Sequence, residues 1–108
     1  MIPQIHPTDL KAKLAAGEPV YLLDVRQQNE YDYCRLADST LIPLHELPGR
    51  LDEVAPPAGA LVVVYCHHGV RSLSGAAILQ QAGHANVASL SGGIEAWSTL
   101  VDPSVRRY

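Results

Sequence analysis

An uninterrupted apolar run, Leu61–Tyr65, constrains the fold of this chain more than any other feature. A short, wholly apolar segment is typical of a strand that is buried on both faces, as in a parallel sheet. Residues 66–72 follow with the sequence Cys-His-His-Gly-Val-Arg-Ser and lead into an Ala- and Leu-rich helical pattern. Because open parallel sheets bind ligands beyond the carboxyl ends of their strands, Cys66 is placed where such folds carry out chemistry.

The rest of the chain alternates short apolar runs with helical patterns. We predict further strands at residues 2–5, 20–25, 40–43 and 87–90. Helices are predicted at 7–15, at 72–82 and from 92 through 97. A short helix or turn begins at 29–31, and short helices are expected at 44–47 and 50–54. Ser72 is expected to be the N-cap of the 72–82 helix, and Gly83 its stop. This alternation predicts an α/β fold with a mostly parallel sheet and helices on both faces.

The length and composition predict one globular domain, residues 1–108, with residues 101–108 as a C-terminal tail. A formal net charge of −3 and the lack of a basic patch argue against nucleic acid as a partner. No apolar run is long enough to span a bilayer and no signal peptide is visible, so we expect no membrane association. Two cysteines, Cys34 and Cys66, make a poor disulfide framework, which favours free thiols in a reducing, cytoplasmic location.

The segment after the central strand has the composition of an anion-binding loop. Four residues separate Cys66 from Arg71, and such a loop can curl so that successive N–H groups point inward. Gly69 accepts the unusual dihedral angles that this needs, and the planar guanidinium of Arg71 binds oxyanions. An isolated cysteine is more often buried and inert, but this setting favours a nucleophilic thiolate. The predicted binding residues are His67, His68, Gly69, Val70, Arg71 and Ser72.

Four segments, in this order and spacing, resemble the rhodanese-like domains. They are Leu22-Leu23-Asp24-Val25-Arg26 with Glu30-Tyr31, Leu41-Ile42-Pro43-Leu44, the loop 66–72, and Leu90-Ser91-Gly92-Gly93-Ile94-Glu95-Ala96-Trp97. The resemblance implies a three-layer α/β/α sandwich with a five-stranded, mostly parallel sheet. It also implies that Cys66 takes up sulfane sulfur as a persulfide, which the N–H groups of residues 67–72 hold while Arg71 helps to place the donor. No cofactor or metal is implied.

The chain departs from the family pattern at several positions. Family members often carry Gly-His-Ile where this chain has Cys34-Arg35-Leu36, and Gly-Ala where it has Asp38-Ser39. These departures bear on local geometry and not on the loop. The adjacent histidines His67 and His68 differ from the more basic loops expected of a strong thiosulfate user, so the donor stays open.

Other candidate residues have simpler interpretations. Asp24 and Arg26 are possible rim residues of the site, but an ion-pair network that includes Glu30 is the favoured interpretation. Cys34 is either a resolving thiol for Cys66 or an ordinary half-buried cysteine, and its spacing favours the latter. Adjacent histidines on a loop, without a third ligand nearby in sequence, do not predict a metal site. The tail resembles tails of rhodanese domains that are joined to enzymes adenylating sulfur-carrier proteins.

Four functions are therefore considered. The leading hypothesis is a sulfurtransferase that moves sulfane sulfur from a donor such as thiosulfate to a thiophilic acceptor through a Cys66 persulfide. The alternative is a sulfur-relay module in sulfur-carrier or cofactor biosynthesis, with a sulfur-carrier protein or a cysteine desulfurase as partner. Phosphatases and arsenate reductases of related fold resemble this chain but place five residues between cysteine and arginine, which makes the present loop too tight for phosphate. A binding domain without catalysis has no need of Cys66 with Arg71.

Overall fold

A computed structural model describes residues 1–108 and contains one five-stranded sheet in which every pairing is parallel. The strands are β1 (Gln4–Ile5), β2 (Val20–Asp24), β3 (Thr40–Leu41), β4 (Leu61–Tyr65) and β5 (Val87–Leu90), in the order β1-β5-β4-β2-β3. Strand β4 pairs with β2 on one side and β5 on the other, which explains why its sequence is apolar throughout.

Helices cover both faces of this sheet. They are α1 (Pro7–Ala15), α2 (Gln28–Tyr33), α3 (Arg71–Gln81) and α4 (Gly93–Leu100), with two 3-10 helices at Leu44–Gly49 and Leu51–Glu53. Successive strand residues point to opposite faces, so Val63 joins the cluster that contains Leu10 and Trp97, whereas Val64 joins the one that contains Ala76 and Leu79. The predicted three-layer α/β/α sandwich is confirmed. None of the helices combines the length and apolar character that a membrane crossing requires.

Element boundaries differ from the prediction at a few points. Strand β1 is shorter than residues 2–5, since Pro3 has no N–H to contribute to a ladder. Helix α4 continues past Trp97 to Leu100. The prediction that Ser72 is the N-cap of α3 was wrong, because Val70 occupies that position and the Ser72 side chain turns elsewhere.

Asp38 adopts a backbone conformation that favours glycine. Its φ is +61°, in the left-handed region, and it is the one residue other than glycine with a positive φ. This is the position where members of the resembled family often carry glycine. An L-residue in this region carries backbone strain that a glycine would not.

Candidate active site

Cys66 lies at the carboxyl end of the central strand β4, in a loop that ends where α3 begins at Arg71. The residue is only 1% exposed. Its Sγ accepts hydrogen bonds from the N–H of Gly69 at 3.2 Å and from the N–H of Ser72 at 3.3 Å. The Ser72 amide belongs to the first turn of α3, where N–H groups have no partner within the helix. The sulfur of Cys66 is the acceptor for this amide, and the N-terminus of α3 stabilises negative charge on the sulfur.

Glycines shape the loop from two sides. Gly69 has φ +95°, and a Cβ there would lie 3.0 Å from the backbone nitrogen of Gly92. The turn into α4 packs directly against the loop, since the N–H of Ile94 donates to the Cys66 carbonyl at 2.9 Å and that of Glu95 to the His67 carbonyl at 3.1 Å. The N-termini of α3 and α4 thus hold the loop between them.

A pair of buried serines lies beside the sulfur. The Ser72 hydroxyl oxygen is 3.5 Å from Cys66 Sγ and 2.7 Å from the hydroxyl oxygen of Ser89, and both serines are completely buried. Ser89 projects from β5 and was not identified from the sequence. The available signal was a polar residue inside the otherwise apolar strand Val87–Leu90. When Ser89 donates to Ser72, the Ser72 hydroxyl is free to donate to a thiolate or persulfide.

The guanidinium of Arg71 forms an ion pair with the carboxylate of Glu30. The two carboxylate oxygens of Glu30 accept hydrogen bonds from the two terminal nitrogens of Arg71 at 2.7 and 2.9 Å. Glu30 also accepts from the N–H of Gln27 at 2.9 Å and from the hydroxyl of Tyr108 at 2.8 Å. The hydrogen bonds from Arg71, more than the other contacts, lower the pKa of Glu30 to about 2.

Asp24 and Arg26 form a pair beneath this network, and both are completely buried. Arg26 donates to Asp24 at 2.6 Å, to the backbone carbonyl of Cys34 at 2.6 Å, and to the hydroxyl of Tyr108 at 2.9 Å. The ion-pair interpretation therefore fits these two residues, and neither reaches the surface as a rim. Glu30 makes its own ion pair with the loop arginine and is joined to Arg26 through the Tyr108 hydroxyl.

The tail covers one side of the loop. The ring of Tyr108 stacks on His67 with centroids 3.8 Å apart, and His67 stacks in turn on His68 at 3.9 Å. Burial, followed by the neighbouring imidazole of His68, lowers the pKa of His67. Arg107 pairs with Glu95 at 2.6 Å on the first turn of α4. No sequence signal pointed to Tyr108, because its partners lie far away along the chain.

The largest cavity lies away from Cys66. It encloses about 460 Å³ between the tail and the segment after α2, and its lining includes Cys34, Arg35, Trp97 and Arg106. Cys34 and Cys66 are both free thiols and belong to hydrophobic clusters on opposite faces of the sheet. No three His, Cys, Asp or Glu side chains lie close enough to hold a metal ion together. Backbone amides converge on a sulfur atom in the loop and not in the larger cavity.

Comparisons with known proteins agree with this geometry. The family model of the rhodanese-like domain matches residues 6–100. A sulfurtransferase of Allochromatium vinosum is 37% identical over 98 residues, which are 91% of this chain and 90% of that one. The probable adenylyltransferase/sulfurtransferase MoeZ of Mycobacterium tuberculosis is 32% identical over 104 residues, and the match covers 96% of this chain but only 26% of MoeZ.

Solved structures show the same fold. The crystal structure of a rhodanese-related protein from Thermoplasma volcanium superposes with a TM-score of 0.81 at 29% identity, covering 98% of this chain and 99% of the other. A rhodanese-like domain protein from Staphylococcus aureus gives a TM-score of 0.82 at 26% identity, with 99% of each chain covered. The chain therefore belongs to the rhodanese-like domain family.

Proposed function

We propose that this protein is a sulfurtransferase that carries sulfane sulfur as a persulfide on Cys66. The observation that supports it most is the position of Cys66 Sγ, which accepts two loop amides, one of them from the N-terminus of α3. Such a site stabilises a thiolate before transfer and an anionic persulfide after it. The similarity to sulfurtransferases supports a transferase activity.

Two transfers complete the proposed cycle. In the first, the Cys66 thiolate attacks the sulfane sulfur of a donor. With thiosulfate, the S–S bond of the donor breaks, sulfite leaves with the bonding electrons, and a Cys66 persulfide anion remains. In the second, a nucleophilic acceptor such as cyanide attacks the outer sulfur, and the thiolate is released again. The N–H groups of residues 67–72 hold the persulfide between the two steps, a ping-pong cycle that needs no metal or cofactor.

A second candidate is a sulfur-relay module that serves a partner protein. The match to the adenylyltransferase/sulfurtransferase MoeZ over 96% of this chain favours it. In this version, a cysteine desulfurase loads Cys66, or Cys66 passes its sulfur to a sulfur-carrier protein. A reducing cytoplasm is the location that we propose for either version, because Cys66 has to remain a free thiol.

The test is sulfur transfer itself. The protein is incubated with thiosulfate and cyanide, and thiocyanate formation is measured for the parent, for Cys66→Ser, and for Cys34→Ser as the matched control. We expect turnover in the parent and in Cys34→Ser and none in Cys66→Ser. The relay version predicts slow thiosulfate turnover but rapid transfer of labelled sulfur from a persulfidated cysteine desulfurase. Activity that survives in Cys66→Ser would reject both versions.

A further inference from the structure

We propose that Glu30 is a specificity-determining residue, which disfavours small dianionic sulfur donors and leaves thiol persulfides, R–S–SH, as the preferred donor class. This inference rests on the proposed function, since it concerns the donor used at Cys66. It starts from the bidentate pair between Glu30 and Arg71, which occupies both terminal nitrogens of the cation that faces the loop.

The pair is built into the fold and is not a transient surface contact. The Glu30 side chain is only 14% exposed, against 35% for Arg71. Two further donors from different parts of the chain, the Gln27 amide and the Tyr108 hydroxyl, fix the carboxylate in place. A preorganised, bidentate partner competes with any incoming anion for the same guanidinium fork. The low pKa of Glu30, about 2, keeps its carboxylate charged at every pH at which a thiolate is used.

Two other arginines close to the site are also neutralised by carboxylates. Arg26 is paired with Asp24, and Arg107 is paired with Glu95. Burial lowers the pKa of His67, which stacks against the tail, and so disfavours its charged form. Arg71, Arg26 and Arg107 therefore each have their own carboxylate, and the groups that donate to Cys66 Sγ are the backbone amides of Gly69 and Ser72.

The charge balance of the two donor reactions explains the preference. With thiosulfate, a thiolate attacks a dianion and releases sulfite, so three negative charges share the mouth of the site throughout. With a thiol persulfide, Cys66–S⁻ attacks the outer sulfur, the S–S bond to R breaks, and the products are Cys66–S–SH and R–S⁻. One negative charge is present before and after, and no free cation is required.

The affinity of the protein for thiosulfate tests the proposed role of Glu30 without relying on turnover. Thiosulfate is titrated by calorimetry into Cys66→Ser protein, with and without the isosteric change Glu30→Gln. Glu18→Gln is the matched control, because it removes the same charge and breaks the ion pair with Lys13 ahead of β2, at the sheet edge opposite to Cys66. We expect Glu30→Gln to tighten thiosulfate binding about fivefold, the upper end of what a partly exposed ion pair contributes. The control should change binding by less than about twofold.

Arg71→Gln completes a double-mutant cycle and guards against a folding defect in the first variant. In the Cys66→Ser background, Arg71→Gln should abolish the gain in thiosulfate binding when it is combined with Glu30→Gln, because no guanidinium is then left to bind the dianion. In proteins with Cys66 intact, Glu30→Gln should raise the ratio of kcat/KM for thiosulfate to that for cysteine persulfide about fivefold. An unchanged affinity in Glu30→Gln, or a gain that persists when Arg71→Gln is added, would overturn the inference. Failure of every donor to load Cys66 would instead reject the proposed function.

Discussion

Gly93→Ala should damage the active-site loop although residue 93 is not part of it. The Cβ of an alanine at this position would lie 2.5 Å from the carbonyl oxygen of Cys66 and 2.6 Å from the carbonyl carbon of His67. Both contacts are with backbone atoms, which cannot rotate away. Restoring a tolerable 3.0 Å requires the loop to move by about 0.5 Å at Cys66.

The expected cost has two parts. The φ of Gly93 is +61°, and placing an L-residue in that region costs about 1 kcal/mol. Overpacking against fixed atoms adds about 1–3 kcal/mol, so the free energy of unfolding should fall by about 2–4 kcal/mol. Because a misplacement of ~1 Å can cost ~100-fold in rate, the loading of Cys66 with sulfur should slow by at least about tenfold.

Gly17→Ala separates the collision from the backbone strain. Gly17 has a similar φ of +71°, but a Cβ there meets nothing within 4 Å. It should therefore cost about 1 kcal/mol in urea unfolding and leave the rate of persulfide formation unchanged. If Gly93→Ala were no more destabilising than Gly17→Ala and equally active, the packing of α4 against the loop would not have the role described above.

Three further predictions concern stability. Asp24→Asn leaves the guanidinium of Arg26 buried without its charged partner and should lower the free energy of unfolding by about 3–5 kcal/mol in urea, whereas a loss below about 1 kcal/mol would contradict a buried, coupled pair. Asp38→Gly should relieve the left-handed strain and raise the unfolding free energy by about 0.5–1 kcal/mol; a decrease would argue against strain. The pKa of Glu30, about 2 in the folded protein against an ordinary 4.5, means that its contribution is present above about pH 4.5 and lost as the pH falls towards 2. Over that range the parent should lose about 2 kcal/mol more stability than Glu30→Gln, allowing for partial screening by solvent, and parallel pH profiles would refute this.

The fold could be predicted from the sequence because its main signals are local. An apolar run such as Leu61–Tyr65 and the helical pattern after it need no information about distant residues to be recognised. The same holds for the loop, where Cys66, Gly69 and Arg71 lie within six residues of each other. The order and number of residues in that segment were sufficient to place Cys66 at the end of the central strand.

The partners of the loop could not be predicted, because they come from distant parts of the chain. Glu30 is 41 residues from Arg71, Ser89 is 17 from Ser72, and Tyr108 is 78 from Glu30. Only the packing of the helices and tail around the sheet brings these groups together. The N-cap rule also failed at Ser72, because its amide donates to the Cys66 sulfur and its hydroxyl hydrogen-bonds to the distant Ser89.

The central claim, that Cys66 carries sulfane sulfur, is tested most directly by the intact mass of the protein. After incubation with cysteine persulfide or thiosulfate and removal of the donor, the mass should increase by one sulfur atom. The gain should map to the peptide that contains Cys66, disappear on treatment with cyanide, and be absent in Cys66→Ser while persisting in Cys34→Ser. An unchanged mass with every donor, or a cyanide-sensitive sulfur located on Cys34, would contradict the account.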